Sequence, residues 1–364
     1  MRLYPVICGL SLLTACSQQP AVPPTPFTPP PAAAVPEPAT ENRPAGDYYA
    51  AKLGGDYAGY PETRNFIERM HTQYGYPREY LYGLFSQAKR KQGILNYLQG
   101  SGAGGGGTPA PGGWTRYRAQ FLDQGHIHGG VAFWKRHEHA LRQAHRQYQV
   151  PPEYIVAIIG VETSFGQNVG KHRIIDALTT LAFDFPRRAD YFQGELEKFL
   201  QMSAEEHIDP SQPLGSYAGA MGYGQFMPSS FLQWAVDHNQ DGRRDLWNAE
   251  DAIGSVANYF AAHGWQAGQP VVSPLKTQGP VELAAGLDHT YTLSELAQTG
   301  LRPTNACACE PPLRLLWLRH ANHEEYLLGH PNFYTISRYN HSTYYSMAVH
   351  ELAQAIKRQK DLAG

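Results

Sequence analysis

The segment from Pro151 to Gly166, PPEYIVAIIGVETSFG, constrains the fold of this chain more than any other. Its prolines suit the first turn of a helix, where a missing N–H costs nothing. Ile155, Ile158 and Ile159 then form one apolar stripe at helical spacing. Glu162 falls on the same face, four residues after Ile158 and three after Ile159. A carboxylate on a buried stripe is costly unless it is paired or protonated. Desolvation favours the neutral acid, the form that can hand a proton to a leaving group. A glutamate at the edge of the stripe, reaching solvent or paired with an arginine, satisfies the same pattern.

The rest of the chain frames that helix. Arg2 precedes an apolar run from Leu3 to Leu13, too short to span a bilayer and typical of a signal peptide over residues 1–15. The run ends Leu-Thr-Ala-Cys, which resembles the lipobox of bacterial lipoproteins and makes Cys16 the expected lipidation site. Such a protein is anchored to a membrane without crossing it. Ser17 follows in place of the aspartate usual for inner-membrane retention, so the expected location is the periplasmic face of the outer membrane. Cys307 and Cys309 remain; one intervening residue is awkward for a disulfide between them, and a lone C-x-C lacks the other ligands of a zinc site.

Residues 16–46 are rich in proline and alanine, as in an extended tether. Residues 47–150 read as a helical domain: Phe66, Met70 and Tyr74, then Leu81, Leu84 and Phe85, keep helical spacing, and the pattern returns from Phe121 to Tyr148. Within it the 100–113 segment is nearly all Gly, Ser, Pro, Ala and Thr, a surface loop. A core of residues 151–270 follows, with helices expected at 188–201, 228–237 and 251–263. Short apolar runs between Gly and Pro breaks from Val271 to Pro312 suggest strands, giving a β subdomain over 271–330. A C-terminal segment, 331–364, regains helical pattern from Ser342 to Lys360. The fold class expected is mainly α (α+β), with a small antiparallel β part. The formal net charge of −2 over 364 residues gives no basic excess, so nucleic acid is not an expected partner. His137-Glu138-His139 and His320-x-x-His323 are not H-E-x-x-H and sit among charged residues, and no G-x-S-x-G elbow is present.

Between Gly215 and Pro228 the chain reads GSYAGAMGYGQFMP, glycine-rich, aromatic and amide-bearing, then a proline opening a helix. E-T-S-F-G followed some 55 residues later by G-A-M-G-x-x-Q-F-M-P-S resembles the signature of lysozyme-like lytic transglycosylases. The chain is most similar to the membrane-bound lytic murein transglycosylase B family, glycoside hydrolase family 103, from about Asp47 to Ala355, with the Gly-rich loop before Trp114 as an insertion. The resemblance implies a lysozyme-like core with a helical domain and a small β subdomain around a cleft, and peptidoglycan glycan strands as substrate.

Carried over by position, Glu162 is the catalytic acid/base, and Ser216 and Gln225 position the sugar and its N-acetyl group. Tyr117 and Tyr259 match cleft aromatics. Arg187 and Arg188, after Phe185-Pro186, match a pair that contacts glycan or peptide stem. Tyr339, Asn340 and Tyr345 come from the R-Y-N-x-S-x-x-Y segment that closes the site. Asp237, Asn239, Asp241 and Gly242 also occupy positions 1, 3, 5 and 6 of an EF-hand loop, but position 12 is Asn248 instead of glutamate. The family's loop is longer, so the resemblance implies a calcium ion closed by Asp251, with Arg243 lending its backbone carbonyl; a solvated acidic turn is the alternative. Arg243 and Arg244 lower the local negative charge and argue against very tight binding.

Most glycosidases use two carboxylates, and here one alone has a motif behind it; Asp176, Asp184 and Asp190 are near in sequence without a signal. The family's lytic route needs only one. The acid protonates the oxygen between N-acetylmuramic acid and N-acetylglucosamine, then deprotonates the muramic C6 hydroxyl to close a 1,6-anhydro ring. A hydrolysing muramidase and a non-catalytic peptidoglycan-binding lipoprotein are the rival readings. Cell-wall remodelling complexes are possible partners.

Overall fold

The structure, a computed structural model, describes residues 43–100, 110–305, 309 and 311–363. The signal peptide, Cys16, most of the tether and most of the Gly-rich loop fall outside that range. The described helices are α1 (Pro61–Tyr74), α2 (Arg78–Gln87), α3 (Gln92–Gly100), α4 (Gly113–Arg118), α5 (Gln124–Arg136), α6 (Glu138–Tyr148), α7 (Pro152–Thr163), α8 (Ile174–Asp184), α9 (Ala189–Glu205), α10 (Pro228–Trp234), α11 (Ala249–Ala262), α12 (Leu293–Gln298), α13 (Pro331–Ser337) and α14 (Thr343–Leu362). The strands are β1 (His172–Arg173), β2 (Leu214–Gly215), β3 (Val272–Lys276), β4 (Arg302–Pro303), β5 (Arg314–Arg319) and β6 (Glu324–Gly329). No described helix is long and apolar enough to cross a membrane.

α7 is the axis of the molecule. Pro152 sits at its first position, and Glu153 to Gly160 are buried without interruption. α5, α6, α11 and α14 pack around it, so the isoleucine stripe of the sequence belongs to a helix buried on all sides. The next helix, α8, was not apparent in the sequence for the same reason: Ile174 to Ala182 are all buried, so no apolar face stands out from a polar one. One contiguous apolar core runs from Tyr48 to Ile356.

The 121–148 stretch breaks into α5 and α6 at His137, whose backbone leaves the helical region. α9, α10, α11 and α14 match the expected helices, with ends displaced by a few residues. β3 and β4 lie within the 271–312 stretch expected to hold strands. β5 and β6 form a hairpin beyond Pro312, in a four-stranded antiparallel sheet of order β4-β3-β6-β5. β5 is shared between two cores: Leu316 and Leu318 join the main one, while Leu315, with Leu313 just before the strand, joins a second cluster with Leu296, Leu301 and Leu328. A strand covered on both faces loses the polar alternation that reveals a half-exposed one. Cys309 is disulfide-bonded; Cys307 falls outside the described residues.

Candidate active site

Glu162 lies in the last turn of α7, where the buried helix reaches the cleft. Three successive left-handed residues turn the chain sharply away behind it: Ser164 (φ 48°), Phe165 (φ 63°) and Gly166 (φ 86°). Thr163 holds that turn. Its Oγ1 lies 3.0 Å from the Tyr223 carbonyl oxygen and accepts the Gly166 N–H at 3.0 Å, so the α7 terminus is tied to the glycine-rich segment.

That segment folds back on itself. Ser216 and Ala220 pair through backbone, and the Ser216 hydroxyl accepts the Ala220 N–H at 2.9 Å and that of Ala218 at 3.3 Å. The Gln225 amide donates to the carbonyls of Gly222 and Val169 at 2.9 and 3.2 Å. Both its amide protons are thereby used, and its Oε1 is left as an acceptor. Gly222 (φ 67°) permits the turn, since a Cβ there would sit 2.2 Å from the Leu246 carbonyl oxygen.

A cavity of about 320 Å³ opens between these elements, lined by Glu162, Ser216, Gln225, Tyr259, Tyr339 and Asn340. Tyr259, Tyr339 and Phe226 form an aromatic wall, with ring centroids 4.8–5.9 Å apart. The phenols are tied to backbone: Tyr259 to the Arg338 carbonyl at 2.6 Å, Tyr339 to that of Gly224 at 2.5 Å. Anchored phenols keep the rings fixed as apolar platforms along the cavity.

Tyr345, near the start of α14, donates its hydroxyl to Glu162 Oε1 at 2.5 Å. The carboxyl makes no other described hydrogen bond. Burial pushes Glu162 up to about 7, and the one bond from Tyr345 only partly opposes it. Burial holds Tyr345 far above the usual phenol range, so it stays a neutral donor at every working pH. An acid of pKa near 7 is suited to donate and then recover a proton. Since the protonated form is the one that starts the reaction, kcat/KM is expected to fall as pH rises through about 7; a pH–rate profile level from pH 6 to 9 would contradict the assignment.

Not every expected residue lines the cavity. Tyr117 lies beside it, in a cluster with Trp114, Phe121 and Tyr344, and burial and the charge of Glu162 both raise its phenol. Tyr345 reaches the site through its bond to Glu162. Arg187 and Arg188 lie exposed on a short 3-10 turn outside the cavity, Arg188 over the ring of Tyr191 at 4.2 Å. Tyr217 and Ser230 line the cavity although they carried no signal of their own in the sequence. Tyr217 is the more informative: its exposed ring meets that of Tyr97 from α3 at 4.8 Å, extending the aromatic wall outward. Asp176 and Asp184 are not among the lining residues. Asp176 is buried between Arg173 (2.8 Å) and Lys91 (3.0 Å), and Asp184 pairs with Arg90 at 3.1 Å.

The acidic loop is organised by its own backbone. Asp237 accepts the N–H groups of Asp241 and Gly242 at 3.1 and 2.8 Å, and Asn239 Oδ1 accepts that of Asp241 at 3.0 Å. Asp251, in the first turn of α11, reaches back to accept those of His238, Asn239 and Asp245. It is fully buried with no cationic partner among the described residues, and burial raises its pKa. Among the described residues no three His, Cys, Asp or Glu side chains are grouped to hold an ion by themselves. The donor set is nevertheless all oxygen, each carboxylate oxygen keeps a second lone pair, and a buried unpaired carboxylate is the group a cation relieves. The residues fit a hard cation that prefers oxygen ligands.

The chain matches the transglycosylase SLT domain family over residues 59–354. It is 47% identical over 308 residues to the membrane-bound lytic murein transglycosylase B of Escherichia coli (strain K12), covering 84% of this chain and 85% of that protein. The structure of the Escherichia coli lytic transglycosylase Slt35 in complex with calcium superposes with a TM-score of 0.80 at 47% identity, over 85% of this chain and 97% of that one. Its complex with bulgecin A gives a TM-score of 0.81 at the same identity and coverage. These relationships bear out the resemblance carried by the two motifs: the chain belongs to the transglycosylase SLT family and is a lytic transglycosylase.

Proposed function

We infer that the chain cleaves the β-1,4 bond between N-acetylmuramic acid and N-acetylglucosamine of peptidoglycan by the lytic route. The observation that carries this reading is that Glu162 is the one carboxylate lining the cavity among the described residues. Two-carboxylate hydrolases place the second group about 5–9.5 Å from the first, as nucleophile or as base for a water. Here the substrate has to supply what that group would do.

Neutral Glu162 donates its proton to the bridging oxygen, and the bond to the muramic C1 breaks. The muramic N-acetyl group stabilises the developing cation, held in place by Ser216 and Gln225. Glu162, now a carboxylate bonded by Tyr345, takes the proton from the muramic C6 hydroxyl. The C6 oxygen closes on C1, and the acid is restored without water. Tyr259, Tyr339 and Asn340 hold the sugars, Tyr117 borders the acid, and Arg187 and Arg188 meet the strand beyond the cavity. Purified protein is expected to clarify a suspension of isolated murein sacculi; an unchanged turbidity would overturn the assignment.

The acidic loop takes calcium through Asp237, Asn239, Asp241, the Arg243 carbonyl and Asp251, in a structural role. A ligand that binds only the folded state stabilises it by about 2.7 kcal/mol at ~100-fold its Kd. Calcium is therefore expected to raise Tm relative to chelator. Asp237→Ala should abolish that difference, which is the readout because the variant also loses two loop hydrogen bonds. Equal Tm with calcium and chelator in the unaltered protein would refute the site.

Cys16 carries the lipid that holds the protein at the periplasmic face of the outer membrane. Cys16→Ala is expected to move the protein to the soluble fraction with the specific activity of the purified enzyme unchanged. Retention of that variant in the membrane fraction would contradict the anchor.

A further inference from the structure

Tyr97 and Tyr217 are both exposed, at 56% and 37% of their surface, yet their rings meet edge to face with centroids 4.8 Å apart and planes at 63°. Each is carried by fixed backbone. Tyr97 belongs to α3, which buries Ile94 and Leu95 and packs on α8. Tyr217 belongs to the turn 216–220. That turn is closed by the Ser216 N–H to the Ala220 carbonyl at 2.9 Å and by the Gly219 N–H to the Ser216 carbonyl at 3.1 Å. Gly219 has φ +85°, and a Cβ there would lie 2.4 Å from a methyl of Leu178, which is part of α8. One helix therefore supports both rings.

The pair continues the active-site wall directly. Tyr217 lines the cavity together with Glu162, Ser216 and Tyr259, and Tyr97 meets it from outside. At about 320 Å³ the cavity is at the lower end of the roughly 300–1,000 Å³ usual for ligand sites. A polymeric substrate has to leave it across the rim. A pair that only stapled α3 to the turn would bury both rings, whereas more than half of Tyr97 stays open to solvent. Adjoining exposed rings at the mouth of a cleft form an apolar binding surface. They carry no charge, and the negative face of an aromatic ring attracts the C–H edges of a pyranose. That chemistry suits a neutral sugar.

We propose that Tyr97 and Tyr217 form an outer sugar site, on which an N-acetylglucosamine of the strand stacks after leaving the cavity at Glu162. The proposal rests on the peptidoglycan reading above and makes affinity depend on strand length. Tyr97 is remote from the reacting atoms, so the site acts on binding and leaves proton transfer alone. Its exposure also means that its substitution spares the core, since Ile94 and Leu95 hold α3 in place.

The test compares β-1,4-linked N-acetylglucosamine dimer and pentamer, titrated calorimetrically into the full chain and its variants. The pentamer is expected to bind the parent more tightly than the dimer does. Tyr97→Ala should weaken the pentamer at least fivefold and leave the dimer unchanged, while Tyr97→Phe, which keeps the ring, should bind both as the parent does. In parallel, kcat/KM on long glycan strands is expected to fall at least fivefold in Tyr97→Ala, through KM with kcat unchanged. Pentamer binding unaltered in Tyr97→Ala, equal weakening of both lengths, or a loss in Tyr97→Phe as large as in Tyr97→Ala would each overturn the proposal. A parent protein that leaves murein uncut would instead fault the peptidoglycan reading, while the titrations would still judge the outer site.

Discussion

Glu162→Gln is expected to lower kcat on murein by at least about 10²–10⁴-fold, the usual contribution of one acid/base group. Glutamine keeps the size of the side chain and can still meet the Tyr345 hydroxyl, but it can neither give nor take the proton. The described cavity holds no second carboxylate to substitute for it. Glycan binding should persist, since Ser216, Gln225 and the aromatic wall are untouched. The same variant carries a stability signature with a definite sign. A carboxyl raised from 4.5 to about 7 in the folded state binds its proton more tightly there than in the unfolded chain. It therefore weakens the fold progressively as pH rises from about 4.5 through 7. Glutamine removes that penalty, so Glu162→Gln should be more stable than the parent at pH 8, by up to about 3 kcal/mol, and nearly equal to it at pH 4. Comparison of the two melting curves at both pH values checks this; a variant less stable at pH 8 would contradict burial as the cause of the raised pKa.

Gly222→Ala is expected to cost more than about 2 kcal/mol and to remove most activity with it. The residue has φ +67°, and a Cβ would lie 2.2 Å from the backbone oxygen of Leu246, which cannot yield as a side-chain tip could. The same oxygen accepts the Tyr223 N–H at 2.9 Å, and the Gly222 carbonyl receives Gln225 Nε2. Moving this turn displaces both the partner of Thr163 behind Glu162 and the Gln225 amide that lines the cavity. Gly93→Ala is the control: it lies in α3 with nothing within 4 Å of its Cβ position, and the change should be neutral or slightly stabilising, by about 1 kcal/mol at most. Chemical denaturation of the two variants separates these outcomes. A Gly222 variant as stable and active as the Gly93 variant would show that the turn does not position the site.

What the sequence made legible was local. Glu162, Ser216 and Gln225 sit in two short motifs whose chemistry is carried by neighbouring residues, and the cavity joins them as expected. Tyr259, Tyr339 and Asn340 line the same cavity, but the carbonyls that hold the two phenols, of Arg338 and Gly224, lie 79 and 115 residues away in sequence, so the resemblance and not local pattern pointed to them. The less legible parts depend on distant packing. α8 is buried all round, and β5 is shared between two cores, so neither shows the periodicity that marks a half-exposed element. The Tyr97–Tyr217 pair joins residues 120 positions apart, and nothing near either one announces it. Arg187 and Arg188 were conspicuous as a pair, yet the fold places them on an outer turn, where their contact with substrate is a proposal about the longer strand.

The most direct test of the account is the mass of the glycan ends released from murein. If Glu162 works alone and the C6 hydroxyl is the nucleophile, every new muramic end is a 1,6-anhydro ring, lighter by one water than a reducing end, and digestion in H₂¹⁸O adds no label. Reducing ends carrying ¹⁸O would mean that water attacks C1 and that the enzyme is a hydrolysing muramidase.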